Sequence, residues 1–242
     1  LVEGGVAPTY DMVVTGAALE SLDRIVLAGY VHLLEFHGRT PWIGRLLGDC
    51  TPDLTFGTGR SGVVRFPTAG FAADIDNAWV SAVVVEPGTD RSFVAGTVTR
   101  FDASRGFFAG QMFVAAFLPD GRIDDVGFGS FVTVGGALVP RDSWHEEANG
   151  LTLGRFSADP GDELRLVVVG SAYADVDRTT RRVRVASFFT DGAINAIARP
   201  ANPVGVVDAR AMDAVIDSSG AVWLAVAQRS RSLSDPIPPP GP

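Results

Sequence analysis

Three histidines are all the imidazole this 242-residue chain carries, and two of them, His32 and His37, flank Glu35 in YVHLLEFHGRT. A His-Glu-His set has the donor types of a metal site, which needs roughly three convergent ligands. Positions 32, 35 and 37 mix odd and even, so one strand face cannot present all three, and a loop would have to gather them. The third histidine, His145, comes after Trp144 and precedes Glu146 in the polar stretch RDSWHEEANG, which reads as an exposed loop. Carboxylate pairs occur in ADIDN (Asp74, Asp76) and YADVDR (Asp175, Asp177). Such oxygen-rich loops suit calcium, which takes about six to eight oxygen ligands. Neither pair has the spacing of a calcium-binding helix-loop-helix, and an Asx turn accounts for them as well. The stretch FGTGRSG spells G-x-G-x-x-G, but a dinucleotide site needs a helix to open on the glycines. The residues after Gly62 are VVRFPTAGF, β-branched, aromatic and broken by Pro67, so a strand is expected and the glycines read as a turn.

Composition narrows the chemistry further. All 20 basic residues are arginine, which excludes Schiff-base catalysis, a Walker loop and a kinase-type lysine. The single cysteine, Cys50, excludes an intrachain disulfide and a cysteine-based zinc site. A net charge of -8 argues against a basic surface for nucleic acid or anionic lipid. No run of apolar residues is long enough for a membrane-spanning helix. No nucleophile elbow, H-E-x-x-H or Ser-His-Asp order stands out. Leu1 in place of a starting methionine fits a processed or excised chain, and leaves a removed secretion signal open.

The 28 glycines and 15 prolines punctuate many short β-branched segments, and the punctuation repeats. WIGRLLGDCTPD (42–53), FVAAFLPDGRID (113–124) and RVASFFTDGAIN align so that Asp49, Asp120 and Asp191 fall 71 residues apart. Asp53, Asp124 and Asn195 keep the same interval, as do Leu47, Leu118 and Phe189. Upstream, DRIVLAG (23–29) matches DRSFVAG (90–96), LRLVVVG (164–170) and AVWLAVA (221–227). Each unit therefore reads as four strands, with tight turns at Asp120-Gly121 and Asp191-Gly192. The repeated phenylalanines are expected to pack between units rather than to bind a ligand. Strands are expected at 11–18, 24–31, 42–48, 62–66, 79–86, 91–98, 111–118, 130–134, 150–156, 164–171, 182–190, 204–208, 213–217 and 221–228.

RLLGDCTPDLTFGTGRSGVVRF and AAFLPDGRIDDVGFGSFVTV, each preceded by a DRIVLAG-like strand, resemble the delta-60 repeat of bacterial proteins. The likeness weakens in the third unit, where AIARPANPVG replaces the Phe-Gly-x-Gly-Gly turn. The resemblance implies an all-β, β-propeller-like fold of four-stranded blades of about 71 residues, about three and a half in this chain. It implies export, to the cell surface, periplasm or exterior, and no particular activity. The units fall near 9–66, 77–134, 148–208 and, in part, 211–228, within a body of 1–233 ending in a proline-rich tail, 234–242. The leading functional expectation is a non-catalytic binding or scaffold module for a protein or glycan, without cofactor unless calcium. The alternative is a lyase or hydrolase with its site at the axial mouth. Sites are expected where one copy departs from the others, at 30–41, 97–112, 141–149 and 172–181. The candidates there are His32, Glu35, His37, Trp144, His145, Glu146, Asp175 and Asp177. Residues 1–8 resemble a fourth strand, so they and 211–228 are expected either to pair with each other or, the favoured case, to be completed by a partner protein or a second copy.

Overall fold

The structure is a computed structural model that describes residues 10–33, 38–65, 75–103, 106–128, 136–138, 145–157, 162–173, 180–198, 200–202 and 206–230. Its elements are strands apart from one 3-10 turn at Ser21–Asp23. The first sheet runs β1 (Tyr10–Leu19), β2 (Ile25–Leu33), β3 (Gly38–Leu46) and β4 (Val63–Arg65) in spatial order. The second repeats this with β5 (Ile75–Val85), β6 (Ser92–Asp102), β7 (Phe107–Phe117) and β8 (Gly136–Leu138). The third comprises β9 (His145–Gly154), β10 (Arg165–Tyr173), β11 (Arg181–Phe189) and β12 (Ile194–Ala198). A last hairpin, β13 (Val206–Ile216) and β14 (Val222–Ser230), joins the third sheet through one parallel bridge, Arg181 to Asp208. Every other pairing is antiparallel.

Strand alternation puts apolar residues on both faces of each sheet, so neighbouring sheets must cover one another. Val26, Ala28 and Ile43 of the first sheet pack on Val80, Val83, Val94 and Phe113 of the second. The other face of the second, with Phe93, Ala95 and Met112, packs on Ala148, Leu166, Val168 and Phe188 of the third. Val167, Val169 and Val183 on the third's far face meet Ala209, Ala211 and Leu224 of the hairpin. The first strands touch in sequence, β1 with β5, β5 with β9 and β9 with β13.

The four first strands share an inserted residue, a β-bulge, at the same level: Thr15, Ser81, Asn149 and Met212, and β5 and β13 have a further register shift nearer their starts. The bulges explain the recurrent glycine of the second strands. A Cβ on Gly29 would lie 1.9 Å from the carbonyl oxygen of Val13; on Gly96, 2.1 Å from that of Trp79; on Gly170, 1.9 Å from that of Glu147. The fourth copy matches one residue earlier than the sequence alignment placed it, since Val226 opposes Ala211 just before the bulge.

Two strand expectations need correction in the third unit. Of the segment expected as its fourth strand, 204–208, the described residues 206–208 open β13, which continues over the position of a second expected strand at 213–217. The true fourth strand is β12, which comes directly after the Asp191-Gly192 turn. Asn195 marks where the third unit departs from the first two. In the first unit, Asp53 Oδ1 accepts from the Thr55 backbone N–H at 2.9 Å, turning the chain away from β3. Asp124 does the same through the Gly127 N–H at 2.7 Å. Asn195 instead donates sideways to Ser187 Oγ at 3.2 Å, and its neighbours stay in the ladder. The expected strand at 130–134 lies outside the described residues, and β8 is seen at 136–138. The G-x-G-x-x-G glycines sit in turns with no helix after them, and the Gly57 N–H donates to the Asp120 carbonyl of the next unit at 2.7 Å.

Gly29→Ala or Gly170→Ala should force backbone apart and cost about 1–3 kcal/mol or more, as overpacking does. Gly59→Ala, whose Cβ would meet only Ser61 Oγ at 3.8 Å, should stay within about 0.5 kcal/mol of the parent. Urea unfolding of the three variants measures the difference; equal midpoints would contradict the bulge explanation.

Candidate functional site

The four bulges converge on one cavity of about 340 Å³. Its lining takes one short segment from every unit: Thr15–Ala17, Ser81–Val83, Asn149–Leu151 and Met212–Asp213. An inserted residue breaks strand alternation, so it can turn its side chain along the stack rather than into either sheet interface. Thr15 Oγ1 donates to the Val80 carbonyl of the next unit at 2.8 Å. Asn149 Nδ2 donates likewise to the Ala211 carbonyl at 2.9 Å. These bonds hold successive first strands at fixed spacing. Glycines beside the bulges permit the approach, since a Cβ on Gly150 would lie 2.8 Å from Asp213 Cα. The cavity thus offers hydroxyl, amide and carboxylate groups on a rigid frame.

A second polar cluster lies at the start of β9 and draws on five strands. The Gly110 backbone N–H donates to His145 Nδ1 at 2.9 Å, so the ring proton sits on Nε2 and is donated to Glu147 Oε1 at 3.0 Å. Arg181 Nη1 stands 3.7 Å from Glu147 Oε2, and its guanidinium lies 4.3 Å from the Tyr173 ring centre. Arg181 also donates to the Tyr173 hydroxyl. Arg210, hydrogen-bonded to Asp208, completes the charge around Glu147. The His145 hydrogen bond, helped by Arg181 and Arg210 against the cost of burial, holds the Glu147 carboxyl below its ordinary value of 4.5. With both ring nitrogens engaged, His145 has no lone pair or proton free for a substrate. Its role in this arrangement is to tie the second sheet to the third.

The sequence candidates fare differently. The exposed loop expected around His145 and Glu146 is corrected by the structure: both residues are buried and open strand β9. Strand alternation separates them, sending Glu146 to the opposite face. There it forms a fully buried ion pair with Arg184 of β11, 3.3 Å apart, and burial pushes the Arg184 guanidinium below its usual value despite that carboxylate. His32 sits on β2 of the first sheet, between Asp11 and Arg39 in the ladder, away from His145 on the third. Glu35, His37, Trp144, Asp175 and Asp177 lie outside the described residues. Among the described residues, no group of three or more His, Cys, Asp or Glu is placed to hold a metal ion. Sequence reading missed Thr15, Ser81, Asn149 and Met212, and the signal for them was a slip in apolar parity along each first strand. In β5 the buried residues are even at Ala78 and Val80, then odd at Val83.

Since the carboxyl of Glu147 is held below its ordinary value, the stabilisation it contributes is present above about pH 4.5 and is lost as the pH falls through the lower folded value. Glu147→Gln should therefore lower the melting temperature at pH 6, and the gap from the parent should narrow as the pH falls below about 4.5. A gap that is unchanged at the lowest pH at which both proteins still fold would show that the carboxylate is not ionically engaged.

No family model matches the chain, and no curated protein was found to match it.

Proposed function

We propose that this chain is a β-propeller segment of consecutive four-stranded blades, serving outside the cell or at its surface as a non-catalytic binding and scaffold module. One observation carries the reading. The first strands of all four units meet in order, and their bulges open on one shared cavity, as strands arranged about an axis would. Its polar lining, from Thr15, Asn149 and Asp213, suits hydroxyl-rich or amide-bearing ligands such as a glycan or a peptide loop. The histidine cluster supports binding over turnover, because His145 spends both nitrogens on neighbours. The acidic net charge of -8 disfavours a nucleic-acid partner. Among the described residues no helix is long and apolar enough to cross a membrane.

An array of bacterial surface oligosaccharides, probed with the labelled chain, tests the reading when the incubated sugars are also analysed by mass spectrometry. The expected result is retention of a subset of sugars without cleavage, weakened at least about tenfold by Asn149→Leu. Hydrolysed or unsaturated products would replace it with the lyase or hydrolase alternative.

A further inference from the structure

Two faces of the molecule are apolar by repeat pattern yet uncovered, and they are the two halves of one interface. Counted from the bulges, Met12 and Val14 of β1 occupy the positions of Ala78 and Val80 in β5. Ala78 and Val80 are fully buried beneath the first sheet, whereas Met12 is 45% and Val14 53% exposed. At the other end, Trp223 of β14 occupies the position of Val26, Phe93 and Val167, and Val215 of β13 that of Ala18 and Val84. Those counterparts pack against the next unit. Trp223 is 63% and Val215 57% exposed.

We propose that a second copy of this chain covers each uncovered face, head to tail, with β1 of one molecule lying on the β13–β14 hairpin of the other. The inference rests on reading the sheets as consecutive units of one stack. Its argument is complementarity by repetition. Three times within the chain a sheet face of this pattern accepts the first strand of the next unit. The hairpin presents that accepting face, and β1 presents the matching underside, both in one molecule and both open. Where the first and third units place hydrogen-bonding Thr15 and Asn149 at the bulge, the hairpin places Met212, itself 49% exposed, which keeps this junction apolar. The contact is heterologous, so two copies can satisfy both junctions in a closed pair.

Sedimentation velocity across a concentration series tests this with two variants at exposed positions, Val14→Asp and Trp223→Asp, each checked by circular dichroism for an intact fold. The parent should sediment above the monomer mass of 25.4 kDa, and either substitution alone should shift it to monomer. A 1:1 mixture of the two variants should recover a two-chain species, because one intact junction remains. The Trp223 emission of the Val14→Asp variant should shift to the blue on mixing. A parent that stays monomeric at all concentrations would overturn the proposal while leaving glycan binding as the test of the module reading. So would a Val14→Asp variant that associates like the parent, which marks a symmetric hairpin-to-hairpin contact. Protection of Trp223 in a monomer would overturn it too, by showing that residues 1–9 of the same chain cover the face.

Discussion

The middle sheet is apolar and covered on both faces: Val80, Val83 and Val94 are buried on one side, Phe93, Ala95 and Met112 on the other. A sheet of this kind cannot exist alone, because two apolar faces need two covers. That requirement dictates the repetition, the shared level of the bulges and the exposure at the two ends. It also explains why the aromatics recur. Phe113 and Phe117 point to the first sheet, Phe128 and Phe188 lie between the second and third, and none lines the bulge cavity.

Charged groups register the layers that apolar contact brings together. Arg45 is buried, bonded to Glu20 and Asp53, and donates across the junction to the Pro119 carbonyl at 2.5 Å. Arg91, from the turn that leads into β6, binds Asp124 and reaches the Thr190 carbonyl of the third unit at 3.2 Å. Two arginines at different sequence positions thus make the same kind of tie to the next unit's Asp-Gly turn. Asp53 and Asp124 serve twice, with one oxygen shaping a turn and the other holding the arginine. Glu20 illustrates the cost: burial raises its carboxyl above the ordinary value even with Arg45 and Arg24 beside it. Removing either member of such a buried pair typically costs about 3–5 kcal/mol.

Much of this was legible in the residues. The interval of 71 and the alternation within each unit placed the strands of the first sheet and the first three of the second to within a few positions. The third unit misled because Asn195 and the AIARPANPVG stretch stand where the other units have an aspartate and the glycine-rich turn that delays the fourth strand. The sites were harder to read. His145, Glu147, Tyr173 and Arg181 come from three strands and meet only through antiparallel register. Glu146 looked like the natural companion of His145, yet adjacent residues on a strand face opposite ways. The bulge cavity left a trace in parity, but a one-residue slip is faint unless several copies are compared.

The Asp-Gly turn of the second and third units has its glycine at φ 83° and 85°, whereas the first unit places Cys50 there at φ 65°. A side chain in that left-handed region is strained, by about 1–3 kcal/mol when nothing compensates it. The residue kept at this cost is the chain's sole thiol, and it is exposed. It stands on the turn whose counterpart in the second unit meets Phe56 and Gly57 of the preceding unit. The fold therefore comes with a built-in chemical address, where a fluorophore or spin label reports on the open end of the first unit.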